Sequence, residues 1–538
     1  MKITKISAAV AATFLLLSTT GCDKFLDVNT DPINPTSVPI TLLMPTTQAS
    51  MSLYLGHSVG GLGQPTSALV QQIVNFRVGA FSLGGNDFNN QWLGLYTSAL
   101  ENNEQMLMQG TEQNAWTFVG IAQIQKAYIF SQMVDVWGDI PYSEALKGVQ
   151  FPAPKFDDDE AIYNDLFGLI DQGVANLRRT DSSRNPSATE DLIYGGDKAK
   201  WIRLANTLKL KLYNQIRLTR DVSSNVRPLI DAPADQIGGA AAAGAATNVA
   251  DDFEFKYGTS AGNPENRHPG FQGDYAASSR ENNINPYFYN LLKGNNDPRI
   301  PYYFFNQYAS TTPLTTADYQ DGRFVTVRFG SIGPQASANT TNTRTLQGLY
   351  PIGGRYDNGA GGTATGASGR GVVAQRFITF FARKFIEAEL QLTVLNNPAA
   401  ARTAFSDAVT ASFTKVNAVA AAEPSTAGVP AIPAASITAY VTAALARYDA
   451  ASNNEAKLAV IMTEKYIANY GTGVDVYTDY RRTGYPAVPF ADTDNDSQTT
   501  QTGAFPVRLP YRQNDLLTNI NAPKVQPNIT TEKIFWDR

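Results

Sequence analysis

Between Asn114 and Trp137 the apolar residues Phe118, Ile121, Ala122, Ile124, Tyr128, Ile129, Met133 and Val134 return at helical spacing. So wide a stripe predicts a helix buried over much of its circumference. Gly138-Asp139-Ile140-Pro141 ends it, because glycine reaches positive φ and proline cannot continue a helix. Asp157, Asp158, Asp159 and Glu160 open a second helix with Ile162, Leu166, Leu169, Ile170, Val174 and Leu177 inward. Acidic residues at a helix start are favoured by the dipole, so the run reads as capping rather than calcium binding. Asp197 is placed to cap a third helix over Lys198–Arg217, with Trp201, Ile202, Ala205, Leu208, Leu212 and Ile216 on its apolar side.

Comparable patterns predict helices over Gln375–Leu395, Ala399–Val416, Ser436–Tyr448 and Glu455–Tyr470. Between the helices, the Gly/Ala- or Ser/Thr-rich stretches Gly238–Thr247, Ser331–Thr345, Arg355–Gly371 and Ala418–Pro433 read as loops. The fold class is therefore mainly α, with helical hairpins of tetratricopeptide type, long irregular loops and a few short strands. Trp116, Val119 and Gly120 suit the start of such a repeat, whereas Gln123 and Gln132 stand where Tyr and Ala are expected. No clean linker divides the chain, so residues 39–538 are expected to form one domain.

Composition narrows the chemistry. With 538 residues and 43% hydrophobic content the chain has ample material for a core. A net charge of −5 without a sustained basic run argues against a nucleic-acid partner. One cysteine and two histidines, His57 and His268, leave no thiolate or imidazole set for a metal, and no cofactor is expected.

Lys2 and Lys5 precede an apolar run from Ala8 to Leu17, followed by Ser18, Thr19, Thr20 and Gly21. That is the layout of a secretory signal peptide over residues 1–21, too short to span a bilayer. Cys22 follows at once and resembles the modified cysteine of a bacterial lipobox, although Thr19 stands where leucine is usual. Cleavage there would leave Cys22 as an acylated first residue, carrying chains such as palmitate. The Pro- and Asn-rich stretch up to Val38 would be its tether, spanning 22–38.

The segment Phe25-Leu26-Asp27-Val28-Asn29-Thr30-Asp31-Pro32 resembles the opening of the SusD/RagB family of Bacteroidetes surface lipoproteins. The likeness is most specific from Lys126 through Val134-Asp135-Val136-Trp137-Gly138-Asp139-Ile140-Pro141-Tyr142-Ser143, and continues at Asn296-Asp297-Pro298-Arg299, Phe381–Glu389, Tyr480–Pro486 and Ile534-Phe535-Trp536-Asp537. It implies a tetratricopeptide-type scaffold, anchored outside the outer membrane, that acts as a hinged lid on a SusC-like TonB-dependent transporter and captures glycans or peptides without bond chemistry. Read as residues alone, Arg481, Arg482 and Asp139 are scaffold elements, the arginine forks bonding carboxylates or carbonyls.

Capture of sugar or peptide needs aromatic faces bordered by amides. Two stretches supply them: Phe76, Phe81, Asn86, Phe88, Asn89, Asn90 and Trp92, and then Asn282, Asn283, Tyr287, Phe288 and Tyr289. Phe81, Asn86, Phe88, Trp92, Asn282 and Tyr287 are the ligand-binding candidates, against the plainer alternative of buried packing. A surface hydrolase acting on glycans or esters is the competing class. Gly258-Thr259-Ser260-Ala261-Gly262 matches a nucleophile elbow, but Asn263 and Pro264 follow where a helix is required. A structural assembly protein without its own ligand is a third. Asp492, Asp494 and Asp496 alternate like calcium ligands, yet Ser497 replaces the glycine such a loop needs.

Overall fold

The computed structural model describes residues 38–537 except 59, 76–80, 82, 240–248, 277–279, 281, 309–319, 322–323, 330–341, 424–427 and 489–503. Cys22, the signal segment, Phe76 and the Asp492–Asp496 alternation lie outside these residues. The long helices are α1 (Ile40–Leu55), α2 (Glu101–Glu112), α3 (Trp116–Trp137), α4 (Asp159–Arg178), α5 (Lys198–Ile216), α6 (Phe380–Thr393), α7 (Pro398–Ala422), α8 (Ala434–Ala450), α9 (Asn454–Ala468) and α10 (Gly473–Thr483). Strands of two to four residues pair antiparallel at the loop bases, among them β1 (Ile73–Asn75) with β3 (Asn282–Ile284), and β2 (Phe253–Phe255) with β4 (Gln375–Ile378).

Helical hairpins stack in sequence order: α3 on α4, α4 on α5, α6 on α7, and α8 on α9. At the α3–α4 crossing Gly120 and Gly173 face one another, and a Cβ on Gly120 would lie 2.7 Å from the Gly173 carbonyl oxygen. Only glycine lets the two backbones approach so closely. One contiguous apolar core extends from Ile40 on α1 to Trp536 near the C-terminus.

Local signals act as the sequence suggests. Asp158 Oδ1 accepts from the Ala161 N–H and Asp197 Oδ1 from the Ala199 and Lys200 N–H groups, which fixes the starts of α4 and α5. Gly138 ends α3 with φ +74°, and Asp139 Oδ1 accepts from the Asp159 N–H at 3.0 Å, tying that turn to the next helix.

Two boundaries differ from expectation. Residues 375–378 form a strand rather than the first turn of a helix, because Gln375, Arg376 and Ile378 pair with β2, and α6 starts beyond them with Thr379 as its cap. Residues 418–422 extend α7 instead of opening a loop: their run of alanines is the composition a helix favours most. Helices α1, α2 and α10 were not anticipated, and α1, without a charged residue and with Pro45 inside, carries no polar stripe to mark its period.

The halves of the stack are joined by buried charge. Glu389 on α6 is wholly buried and accepts from Arg482 of α10, from Arg217 at 2.8 Å, and from Asn214 Nδ2 of α5 at 2.9 Å. Lys465 of α9 pairs with Asp479 of α10 at 2.8 Å. Lys211, Lys465, Asp475 and Asp479, with Ile378, Ala382 and Ile386, line a cavity of ≈ 20 Å³. Arg481 reaches the carbonyls of Asp135 and Val507, so the two arginines knit distant segments rather than the turn beside them.

Truncating one member of such a buried network leaves its partner's charge only partly compensated. Arg482→Ala is expected to lower unfolding stability by about 3–5 kcal/mol, whereas Arg482→Ala combined with Glu389→Leu recovers part of that loss. Urea unfolding of the two variants measures the difference, and equal losses would contradict the pairing.

Candidate ligand-binding site

The pairing of β1 with β3 brings together the two aromatic and amide-rich stretches, with Asn75 opposite Asn282. What it assembles is a packed base carrying a half-exposed rim. Phe81, Phe88 and Trp92 are only 2–3% exposed. Trp92 meets Trp137 edge-on with centroids 5.0 Å apart and also contacts Tyr96, Phe156 and Tyr511. Phe81 lies against Phe329 at 4.7 Å and Phe505 at 5.6 Å. These three rings are corrected from ligand platform to core: all are buried, and other rings already cover Phe81 and Trp92.

Asn282 is corrected in the same way. Asn75 Nδ2 donates to Asn282 Oδ1, Asn282 Nδ2 donates to Asp274 Oδ1, and Gln347 Nε2 donates to Asp274 Oδ2, each at 2.8 Å. Because Gln347 donates to a carboxylate, its oxygen faces His57, whose Nε2–H donates to Oε1 at 2.6 Å. Burial pushes Asp274 up to about 6 and, as the largest effect, pulls His57 down to about 4 and His268 to about 3. This row of side chains is the foundation beneath the rim.

Asn86 is exposed, its Oδ1 3.3 Å from Asn89 Nδ2, and Tyr287 is half-buried near the start of the helix Pro286–Gly294. Asn285 caps that helix by accepting from the Tyr287 N–H. Burial, and then the neighbouring Tyr480 hydroxyl, push Tyr287 up to about 12, so both phenols stay neutral donors at physiological pH. Tyr480 contacts Phe505 at 5.1 Å, Phe505 contacts Phe81, and Phe324 stacks on Tyr289 at 4.9 Å. Tyr287, Tyr480 and Phe505 are thus neighbouring half-exposed rings, and Phe324 is a further half-exposed ring on Tyr289. Sequence reasoning missed the last three. Tyr480 adjoins the two scaffold arginines and Phe505 stands alone among small residues, so neither signals a rim without the fold.

The elements suggestive of catalysis do not converge. Ser260 Oγ accepts from the Gly262 N–H at 3.3 Å, while His268 is buried, its Nδ1 accepting from the Gly270 N–H and its ring edge-on to Tyr257. No helix opens directly at Gly262, and a proton acceptor would have to lie within hydrogen-bond reach of the serine. Among the described residues, Asp139, Asp158 and Asp159 bring carboxylate oxygens within 4.8 Å of one another. Each accepts a backbone N–H, Asp159 from Glu160 and Phe535, which accounts for the cluster as capping.

Both histidines should remain neutral in the folded protein. Above pH 6.5 the rings are neutral whether folded or unfolded. As pH falls below that value the unfolded chain takes protons that the buried rings refuse, and the stability they contribute declines towards the folded values near 4 and 3. The two imidazole Hε1 resonances are therefore expected to hold constant shifts from pH 8 to pH 5, and a sigmoidal shift centred near 6.5 would contradict the burial.

The sequence matches the family model described as starch-binding and associating with the outer membrane, SusD-like, over residues 34–512. Among solved structures, the chain is similar to a SusD/RagB family protein from Bacteroides thetaiotaomicron, with 20% identity, TM-score 0.69, and coverage of 93% of this chain and 99% of that one. It is also similar to a chitin-binding protein, with 20% identity, TM-score 0.66, and coverage of 92% and 99%. A SusD homologue from Bacteroides fragilis gives 16% identity, TM-score 0.67, and coverage of 93% and 100%. No curated sequence relative matches.

Proposed function

Given that this chain belongs to the SusD-like family, described as starch-binding and associating with the outer membrane, we propose that it is a cell-surface lipoprotein that captures nutrient oligosaccharide and passes it to a TonB-dependent transporter. Acylated Cys22 is its anchor, and residues 22–38 are the tether. The rim of Tyr287, Tyr480, Phe505 and Phe324 is the contact surface, with Asn86 exposed on the loop that precedes Trp92. The half-exposure of those rings carries the proposal. A pyranose presents flat C–H faces bordered by hydroxyls, and a tyrosine rim offers both a ring face and a phenol. Peptide is the other nutrient class that such a rim can hold.

Two measurements test the parts separately. Tyr287→Ala and Tyr480→Ala are each expected to weaken binding of malto- or chito-oligosaccharide by about tenfold in titration calorimetry, since one ring contact contributes roughly 1 kcal/mol or more. Trp92→Ala instead lowers stability by about 3–5 kcal/mol, as core truncation does. Unchanged sugar affinity in both tyrosine variants would remove the rim from the site, and binding of peptides but neither sugar would reverse the substrate class.

Mass spectrometry of the mature protein should show a chain beginning at Cys22 with acyl mass added, and Cys22→Ser should release the protein from the membrane fraction. An unmodified start would defeat the anchor.

A further inference from the structure

Asn358-Gly359 is the only Asn-Gly pair in the 538 residues of the chain. In such a pair the glycine nitrogen reaches the asparagine side-chain carbonyl carbon with no Cβ in its path. The pair lies in the irregular segment that follows the helix Leu349–Ile352, and both residues are exposed. Gly359 has φ +79°, and nothing lies within 4 Å of the place a Cβ would take.

Hydrogen bonds set the reacting groups in order. The Gly359 N–H donates to Asp357 Oδ1 at 2.8 Å, so a carboxylate stands on the proton that this nitrogen must lose when it attacks. The Ala360 N–H donates to Asn358 Oδ1 at 3.1 Å, on the oxygen where negative charge gathers as the carbonyl carbon becomes tetrahedral. Asp357 is itself held. Its Oδ2 accepts from the Asn306 N–H at 3.2 Å, and its own N–H donates to the Pro301 carbonyl at 2.8 Å. Only 9% of Asp357 is exposed, and burial raises its carboxylate above the usual range, which makes it a stronger base. Beyond the pair, the Gly362 N–H donates to the Gln307 carbonyl and the Ala364 N–H to Gln307 Oε1, each at 2.9 Å, so the segment is tied down on both sides.

We propose that Asn358 is a site of spontaneous covalent modification, converted to aspartate and isoaspartate through a succinimide, with Asp357 as the base. The Gly359 nitrogen gives its proton to Asp357 and bonds to Asn358 Cγ. The Cγ–Nδ2 bond then breaks, and the amide group leaves with that proton as ammonia. Water, the sole co-reactant, opens the five-membered ring. Attack at Cγ restores the ordinary backbone with aspartate at 358, whereas attack at the main-chain carbonyl carbon leaves the chain running through the side chain as isoaspartate. Either product adds a negative charge beside Asp357. Isoaspartate also lengthens the main chain by one methylene inside the turn that Asp357 Oδ1 closes, and Asp357 joins that turn to Asn306, the residue after the strand Phe304–Phe305.

The test is a timed incubation of the folded full-length protein in oxygen-18 water at neutral pH, followed by tryptic mapping of the peptide Tyr356–Arg370, with the same peptide made synthetically as the reference. The expected result is exchange of one NH2 for one labelled OH in this peptide, as two chromatographically separate isomers, at least about threefold faster in the folded protein than in the free peptide, because the base and the oriented carbonyl exist only in the fold. Asp357→Asn still accepts from the Gly359 N–H but takes no proton, and should bring the rate down to that of the peptide. Asp357→Glu, which restores a base, should recover part of the loss. A folded rate no faster than that of the peptide, or one that Asp357→Asn leaves unchanged, would overturn the proposal. Equal losses in Asp357→Asn and Asp357→Glu would overturn the assignment of Asp357 as the base.

Discussion

The buried carboxylate of Glu389 is the point on which the helical stack depends. It sits on α6, takes hydrogen bonds from α5 and ion pairs from Arg482 on α10 and Arg217 just beyond α5, and is sealed from water. A carboxylate so placed is tolerable only when each of its oxygens is matched, and matching it requires three chain segments far apart in sequence to meet in one geometry. Apolar packing would let the hairpins slide against one another. Fixed guanidinium forks do not.

From that fixed stack the loops project, and their bases are held by short strand pairs and the side-chain row from Asn75 to His57. The same architecture carries the proposed contact surface. Of the aromatic rim, Tyr480 belongs to α10 of the stack and Tyr287 to the helix Pro286–Gly294, while Phe505 and Phe324 belong to the projecting segments. Contacts made by Phe505 and Phe324 can thus vary with loop sequence while Tyr480 stays with the scaffold.

The sequence was legible where a pattern has one physical meaning. The stripe of α3, the acid run at α4 and the cap at Asp197 were read correctly, because periodicity and capping are local. The signature Gly-Asp-Ile-Pro-Tyr-Ser pointed to the family found by the comparison. Legibility failed where an outcome depends on what the fold brings near. Phe81, Phe88 and Trp92 have the composition of a platform, but all three are buried, and Trp137, Phe156, Phe329, Phe505 and Tyr511 arrive from elsewhere to cover Phe81 and Trp92. Nothing in the chain near Tyr480 or Phe505 could have shown that they share a rim with Tyr287. Alanine-rich 418–422 misled for a simpler reason, that small residues suit both a loop and a helix.

The row Asn75, Asn282, Asp274, Gln347, His57 has a direction: from both ends every donor points towards the Asp274 carboxylate, and none can be reversed alone. Evolutionary drift at these sites is consequently collective. Exchanging Asn282 for an acid would set two carboxylates face to face, and swapping Gln347 for a glutamate would do the same from the other side, so viable descendants must alter neighbours together or leave the set untouched.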